Sequence, residues 1–390
     1  MKKILALLLA VVMVFALAAC GSSSTTTTAP AATEAPAADA APAEEAAPLK
    51  VAVFWYAFSD AYLSTVRAAL DADFEAAGID FQNFDGNNNQ ATQLEQVQTA
   101  VTNGFNLLVV NLVTSGSADA AQQIIDAANG LPVVFFKRAI EGDGEEGTVL
   151  KGNDNITFIG TDAPEAGHMQ GKMIGDFLVE NFADVDLNGD GQISYAMFMG
   201  DAANVEAIYR TQYGVEDANA ILVENGKPEL VYFDANNSDK YQLDPNGAWS
   251  SAAAFDFMSV NLAGYSEANG NMIELIIANN DDMAIGAISA LQSAGYNLGD
   301  GESTKIPVFG VDATQVAQVA IADDTMTGTV LQDNVGMADA ICGTVYAVAE
   351  GTAIADAVAA VAESNEIFSI AEGFANKLFV AYAPFTGAAE

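Results

Sequence analysis

Histidine and cysteine are nearly missing from this chain of 390 residues, which has one of the former, His168, and two of the latter, Cys20 and Cys342. That scarcity excludes a His/Cys metal centre and a disulfide framework. Basic residues are also few, 13 Lys and Arg against 52 Asp and Glu, for a formal net charge of −39. So small and scattered a set of cations cannot cover a phosphate track, which excludes nucleic acid as a partner. Catalytic patterns are sparse too. There is no G-x-S-x-G elbow, and His168 has no nucleophile near it in sequence. What the chain has in quantity is apolar residues, 51% of the total, in runs too long for a disordered acidic chain. The length fits two core-forming domains.

The first residues form an address signal. Met1-Lys2-Lys3 precedes an apolar run from Ile4 to Ala19, which ends in Leu17-Ala18-Ala19-Cys20-Gly21. A basic start, a short apolar stretch and small residues predict a secretory leader over 1–19. A membrane span would need about 20 apolar residues. The tetrapeptide ending at Cys20 resembles the bacterial lipobox, which implies that Cys20 is diacylated and anchors the mature chain. Residues 20–48, without a large apolar side chain and rich in Thr, Ala, Pro and Glu, read as a solvated tether. The protein is therefore expected to work outside the cytoplasm. Cys342, in an apolar helical stretch, is expected to be a buried packing residue.

From Leu49 onward, short apolar runs alternate with helix-length segments. The runs are 51–55, 107–112, 133–136, 195–199, 230–233, 274–278 and 308–311, and helical spacing is clear over 63–77 and 91–103. This alternation predicts an α/β protein with parallel sheets covered by helices on both faces. One unit occurs twice: LLVVNLV, AAQQIIDAANG and LPVVFF, then ELIIANN, MAIGAISALQSAG and IPVFGVD. Each copy places an amide, Asn111 or Asn280, at the carboxyl end of a strand, where ligands of open α/β sheets bind. Two Rossmann-like lobes with a ligand cleft between them favour a binding protein over an enzyme.

Asp186, Asn188, Asp190, Gly191, Gln192, Ile193 and Ser194 match the first nine positions of an EF-hand loop. Oxygens at positions 1, 3 and 5 converge on a cation, Gln192 offers its carbonyl, and Ser194 offers a hydroxyl or holds a water. Position 12 is Met197, so calcium needs a carboxylate from elsewhere, and an Asx-rich turn is the alternative. Gly142 to Gly147 has the letters of a dinucleotide fingerprint, but three acids and no following helix make it an acidic loop. Asp60, Asn111, Arg210, Asn280 and Asp312 lie past strand-like runs or at helix starts, and Tyr62 and Trp249 are aromatics in polar surroundings. Carboxylates, amides and a guanidinium around flat aromatic faces are what a sugar ring requires, although single aromatics are usually core residues.

From about 51 to 382 the chain resembles the periplasmic galactose/glucose-binding proteins of ABC importers and chemotaxis, of the type I periplasmic binding fold. The likeness lies in Val110 to Val113, Pro132 to Phe136, Gly160-Thr161-Asp162, Asp186 to Gln192, Ile277 to Asp281 and Ile306 to Asp312. It implies that Asp60 reads the hydroxyl distinguishing glucose from galactose, and that Asn111, Arg210, Asn280 and Asp312 bind other hydroxyls. Tyr62 and Trp249 fall on its stacking positions, and Glu274 on the remote calcium ligand. Asn204, Glu206 and Gln332 fall on further sugar positions where the family has His, Asp and Asn. Ser194 replaces a glutamine, and an insertion over 236–247 precedes Trp249. No catalytic residue is implied.

The resemblance further implies a lobe of 49–158 plus 335–375, a lobe of 162–331 plus 380–390, and hinges near 158–161, 331–334 and 376–379. It implies a monomer that delivers galactose or glucose to an ABC permease, with a chemoreceptor as a further partner and Ca2+ as a structural ion. A receptor for a pentose or another monosaccharide, a glycoside hydrolase with an acid pair in the cleft, and a sensor ectodomain remain alternatives.

Overall fold

The computed structural model describes residues 48–142 and 144–387. The leader, Cys20, the tether up to 47, Asp143 and the last three residues lie outside the described residues. The chain begins with β1 (Lys50–Trp55), α1 (Ala61–Ala77), β2 (Asp80–Asp85), α2 (Gln90–Thr102), β3 (Leu107–Val110), α3 (Ala118–Ala128), β4 (Val133–Phe136) and β5 (Ile156–Gly160). It continues with α4 (Ala163–Val185), β6 (Ser194–Met199), α5 (Val205–Glu224), β7 (Val231–Tyr232), β8 (Gln242–Leu243), α6 (Ser251–Gly264) and β9 (Leu275–Ala278). Next come α7 (Asp281–Ser293), β10 (Val308–Asp312), α8 (Gln315–Ala322) and β11 (Gly328–Gln332). The final elements are α9 (Asn334–Ala349), α10 (Ile354–Ala362), β12 (Phe368–Ile370), β13 (Lys377–Val380) and β14 (Tyr382–Phe385).

The strands form two sheets, ordered β12-β13-β5-β4-β3-β1-β2 and β14-β11-β10-β9-β6-β7, with β8 beside β6. Most neighbours are parallel, as expected. The exceptions are β12 against β13 and β14 against β11, which run antiparallel where the chain returns at a sheet edge. Side chains alternate across each strand, and both faces are covered. Val51, Val53 and Trp55 pack against α1 and α9, while Ala52 and Phe54 pack against α2 and α3. In the second sheet Ala196 and Phe198 meet α6 and α7, and Tyr195 and Met197 meet α4 and α5.

Among the described residues the chain crosses between the sheets three times. The crossings are at Thr161–Asp162, at Asp333 and at Ala381, each between the last residue of one element and the start of the next. The first is one step later than the expected 158–161, because 158–160 belong to β5. The third is later than 376–379, because residues 377–380 are strand β13, paired with β5 and β12.

Helix α5 lies very close to α4, and sequence explains the approach. Gly167, Gly171 and Gly175 recur at four-residue spacing on one face of α4. A β-carbon on any of them would overlap Tyr209, Tyr213 or Ile221 of α5. This seam seats the helix that carries Glu206 and Arg210. His168 is on the exposed side of the same pair, stacked on Tyr213 and 2.7 Å from Asp217, as a surface histidine. Cys342 on α9 is half-buried against the first core rather than enclosed in it, and burial pushes its thiol up to about 12.

Candidate functional site

Each sheet reverses its strand order at one point, between β1 and β3 in the first and between β6 and β9 in the second. Ligands bind outside the carboxyl ends of strands at such points. The same backbone device marks both. Asn111 follows β3, its N–H bonds Phe54 O, and its Oδ1 accepts the N–H of Tyr56, the first residue past β1. Asn279 follows β9, its N–H bonds Phe198 O, and its Oδ1 accepts the N–H of Gly200, the first residue past β6. The repeat therefore pairs Asn111 with Asn279, not with Asn280.

Eight of the ten expected sugar residues line one cavity between the lobes: Asp60, Tyr62, Asn204, Glu206, Arg210, Trp249, Asn280 and Asp312. Four of these are helix caps or adjoin one. Asp60 caps α1 through Leu63 N and accepts from Tyr56 Oη at 2.7 Å. Asn204 caps α5 through its Oδ1, and Asn280 caps α7 while its Nδ2 donates to Trp249 O at 3.2 Å. Caps fix side chains at helix starts without further support. Asn111 stands behind the cavity, where its amide nitrogen is engaged by Phe136 O. Gln332 also lies behind it, with its Oε1 accepting from Arg210 Nη2 at 2.9 Å.

Trp249 holds an unusual place. Its φ is +56°, a region costly for a large side chain. Its ring lies on Gly200, where a β-carbon would overlap the indole. The insertion supplies the support: buried Asp244 accepts from Asn246 N, Ser250 N and Ser250 Oγ, and β8 pairs with β6. Arg210 is 5.8 Å from the indole centroid.

The cavity is charged and small, about 30 Å³. Burial pushes the Asp312 carboxyl well above the usual carboxylate range, against the pull of Arg210. Burial raises neighbouring Asp281 to about 7, although Thr329 and Thr314 donate to it. Burial opposes charge on Glu206 as well, but Lys137 and Arg210 more than offset it and hold the group below its ordinary value. Arg210 Nε is buried with no hydrogen-bond partner, while the Tyr62 hydroxyl meets the Gln332 side chain. A buried group left alone is costly unless a ligand satisfies it.

Tyr56, Lys137 and Arg138 also line the cavity and were not among the expected residues. Tyr56 and Lys137 directly follow β1 and β4, and Arg138 comes next, which is the signal that could have found them. Lys137 bonds Glu206 across the cleft, and Arg138 meets Asp201 at 3.3 Å. A network joins the pocket to the crossings. Arg210 Nη2 donates to Tyr382 Oη at 3.2 Å, and that hydroxyl donates to Thr161 Oγ1 at 2.8 Å. Thr161 Oγ1 donates in turn to Glu206 Oε1 at 3.2 Å.

The EF-hand-like loop leads into β6. Asp186 accepts from Asp190 N and Gly191 N, Asn188 Oδ1 accepts from Asp190 N, and Asp190 Oδ1 accepts from Gln192 N. Glu274, fully buried, bonds Asn188 N at 3.1 Å and Ser194 N at 2.9 Å, so it closes the loop from a distant segment. Burial, helped by Asp186 and Asp190, raises its carboxyl. Ser194 Oγ is engaged by Met272 O. Among the described residues no three acidic, histidine or cysteine side chains stand together as a metal cluster. The oxygens turn to the loop's own amides instead.

Two doubly wound sheets with a polar cavity between their carboxyl edges define a two-lobed solute-binding protein. A model of the periplasmic binding protein domain matches residues 51–353. The chain belongs to the periplasmic binding protein family. It is 32% identical over 296 residues to the D-galactose/methyl-galactoside binding periplasmic protein MglB of Haemophilus influenzae, covering 75% of this chain and 79% of that protein. An ABC transporter solute binding protein from Clostridium phytofermentans with bound β-D-glucose has a TM-score of 0.64 at 18% identity, covering 87% of this chain and 94% of that one. Another, from Bacillus halodurans with bound myo-inositol, has a TM-score of 0.62 at 20% identity, covering 88% and 96%. These are binding proteins and not enzymes, and so is this chain. Among the described residues no helix is long and apolar enough to cross a membrane.

Proposed function

We propose that this protein is the sugar-binding component of an ABC importer, that it closes on one hexose, galactose or glucose, and that it passes the sugar to a membrane permease. One observation carries the reading. The cavity surrounds its centre with acceptors on Asp60 and Asp312, donors on Arg210 and Asn280, and two aromatic rings, Tyr62 and Trp249. A sugar hydroxyl both donates and accepts, and its ring C–H faces suit aromatic surfaces. The unpartnered Arg210 Nε is a place where a sugar hydroxyl would accept a hydrogen bond. The 32% identical relative, named for galactose, supports the same ligand class.

Two accompanying roles belong to this reading. The leader and Cys20 support a lipid-anchored, extracytoplasmic protein. Asp186, Asn188, Asp190, the Gln192 carbonyl and Glu274 would supply the oxygens for a structural Ca2+, while the Ser194 hydroxyl is engaged by Met272. The donor set is all oxygen, and Glu274 reaches the loop from a distant segment.

Calorimetric titration with galactose, glucose, xylose and ribose tests the function. Heat and thermal stabilisation with a hexose are expected. Heat from a pentose alone would make this a pentose receptor, and turnover of a chromogenic glycoside would make it a hydrolase.

A further inference from the structure

Beyond the sugar pocket, on the side of the crossings, the cleft opens into a second cavity of about 180 Å³. At a liquid share of about 30 Å³ per water, that is room for roughly six waters. Its walls mix apolar groups (Ile140, Phe158, Val205) with polar ones (Thr161, Asp162, Lys377). Among the described residues, Lys137 and Glu206 alone line both this chamber and the sugar pocket. The partition between them is therefore the Lys137–Glu206 ion pair.

The pair is built for that place. Its two side chains are 8% and 5% exposed, one from the loop after β4 and the other from the start of α5. The wall exists only when the lobes meet. Lys137 takes a φ of +62°, a strained value for a lysine, and Thr161 holds the far oxygen of Glu206. A buried ion pair contributes little stability over an apolar pair of similar size, so its presence needs another reason. A group pushing through it would separate two buried charges, which is strongly unfavourable.

We propose that Lys137 and Glu206 are the specificity-determining length stop of the pocket: they limit the ligand to a single sugar ring, and without them the hinge-side chamber accepts a second ring. This rests on the hexose reading above. Its test is the ratio of disaccharide to hexose affinity, measured by calorimetry with maltose, cellobiose, lactose and melibiose.

The wild type is expected to bind hexose at least 1000-fold more tightly than any of the four. In Lys137→Ser/Glu206→Gln, which removes both charges together, hexose binding weakens and the ratio narrows at least tenfold for one or more disaccharides. Adding Val205→Trp, which fills the chamber and not the sugar pocket, restores the wild-type ratio. If the double variant does not fold, Lys137→Ser alone gives the same readout, because Arg210 remains 3.9 Å from Glu206. An unchanged ratio, a gain that Val205→Trp does not reverse, or tight disaccharide binding by the wild type would each overturn the stop while leaving the hexose reading intact. No hexose binding by the wild type would overturn both.

Discussion

At the residue scale, the site depends on small groups as much as on polar ones. Gly200 is the floor under Trp249, and no larger residue leaves room for the indole. Gly200→Ala is expected to displace the ring and weaken sugar binding by about 1–3 kcal/mol, roughly 5- to 150-fold, which is the usual cost of overpacking. Trp249 is one of only two tryptophans, and the other, Trp55, is buried in the first core against Phe136. A sugar-dependent fluorescence change therefore reports on Trp249, and Gly200→Ala should diminish it. An unaltered signal and affinity would show that the ring is not seated there. Asp60, Asn280 and Asp312 stood out in the residues as polar groups past an apolar strand or at a helix start, whereas Asn204 and Glu206 were implied only by the resemblance. Lys137 and Arg138 did not stand out, since charged residues after a strand usually face solvent. Only the folded chain shows that a second lobe covers them. Asn280 was matched to Asn111 for a similar reason: two adjacent asparagines fit one pattern, and only the backbone pairing to Phe198 distinguishes Asn279.

At the element scale, strands buried on both faces announced themselves and edge strands did not. β1 and β4 fall on the expected 51–55 and 133–136 within a residue. β2 went unseen because DFQNFD is a half-exposed edge with four polar side chains. β12, β13 and β14 are short, and their antiparallel edges carry no sequence period of their own. The loop before β6 was the reverse case, since its spacing was clear while its closing carboxylate, Glu274, lies 80 residues past Ser194. With calcium bound there, chelation is expected to lower the melting temperature by several degrees, and Glu274→Gln should melt lower and lose most of that response. Equal melting with and without chelator would remove calcium from the protein.

At the scale of the whole molecule, the sequence pointed to two lobes, and the chain's three crossings join them. Each crossing region supplies a side chain to one network: Thr161 from the first, Gln332 from just before the second, and Tyr382 from just after the third. Arg210 of the pocket donates into the same group. Tyr382→Phe leaves Arg210 and Thr161 short of a partner, at about 1–3 kcal/mol. The expected result is about tenfold weaker binding, together with a smaller contraction on adding sugar, read as the radius of gyration in solution scattering. Full contraction at wild-type affinity would separate the crossings from the pocket.

The network through Tyr382 has one more consequence. Arg210, which lines the cavity, shares a hydroxyl with residues at the crossings between the sheets. If the lobes close there around sugar, as proposed, occupancy and angle become two readings of a single variable. A surface far from the cleft, able to sense only how the two halves are set, would know whether the cleft is full without ever meeting its contents.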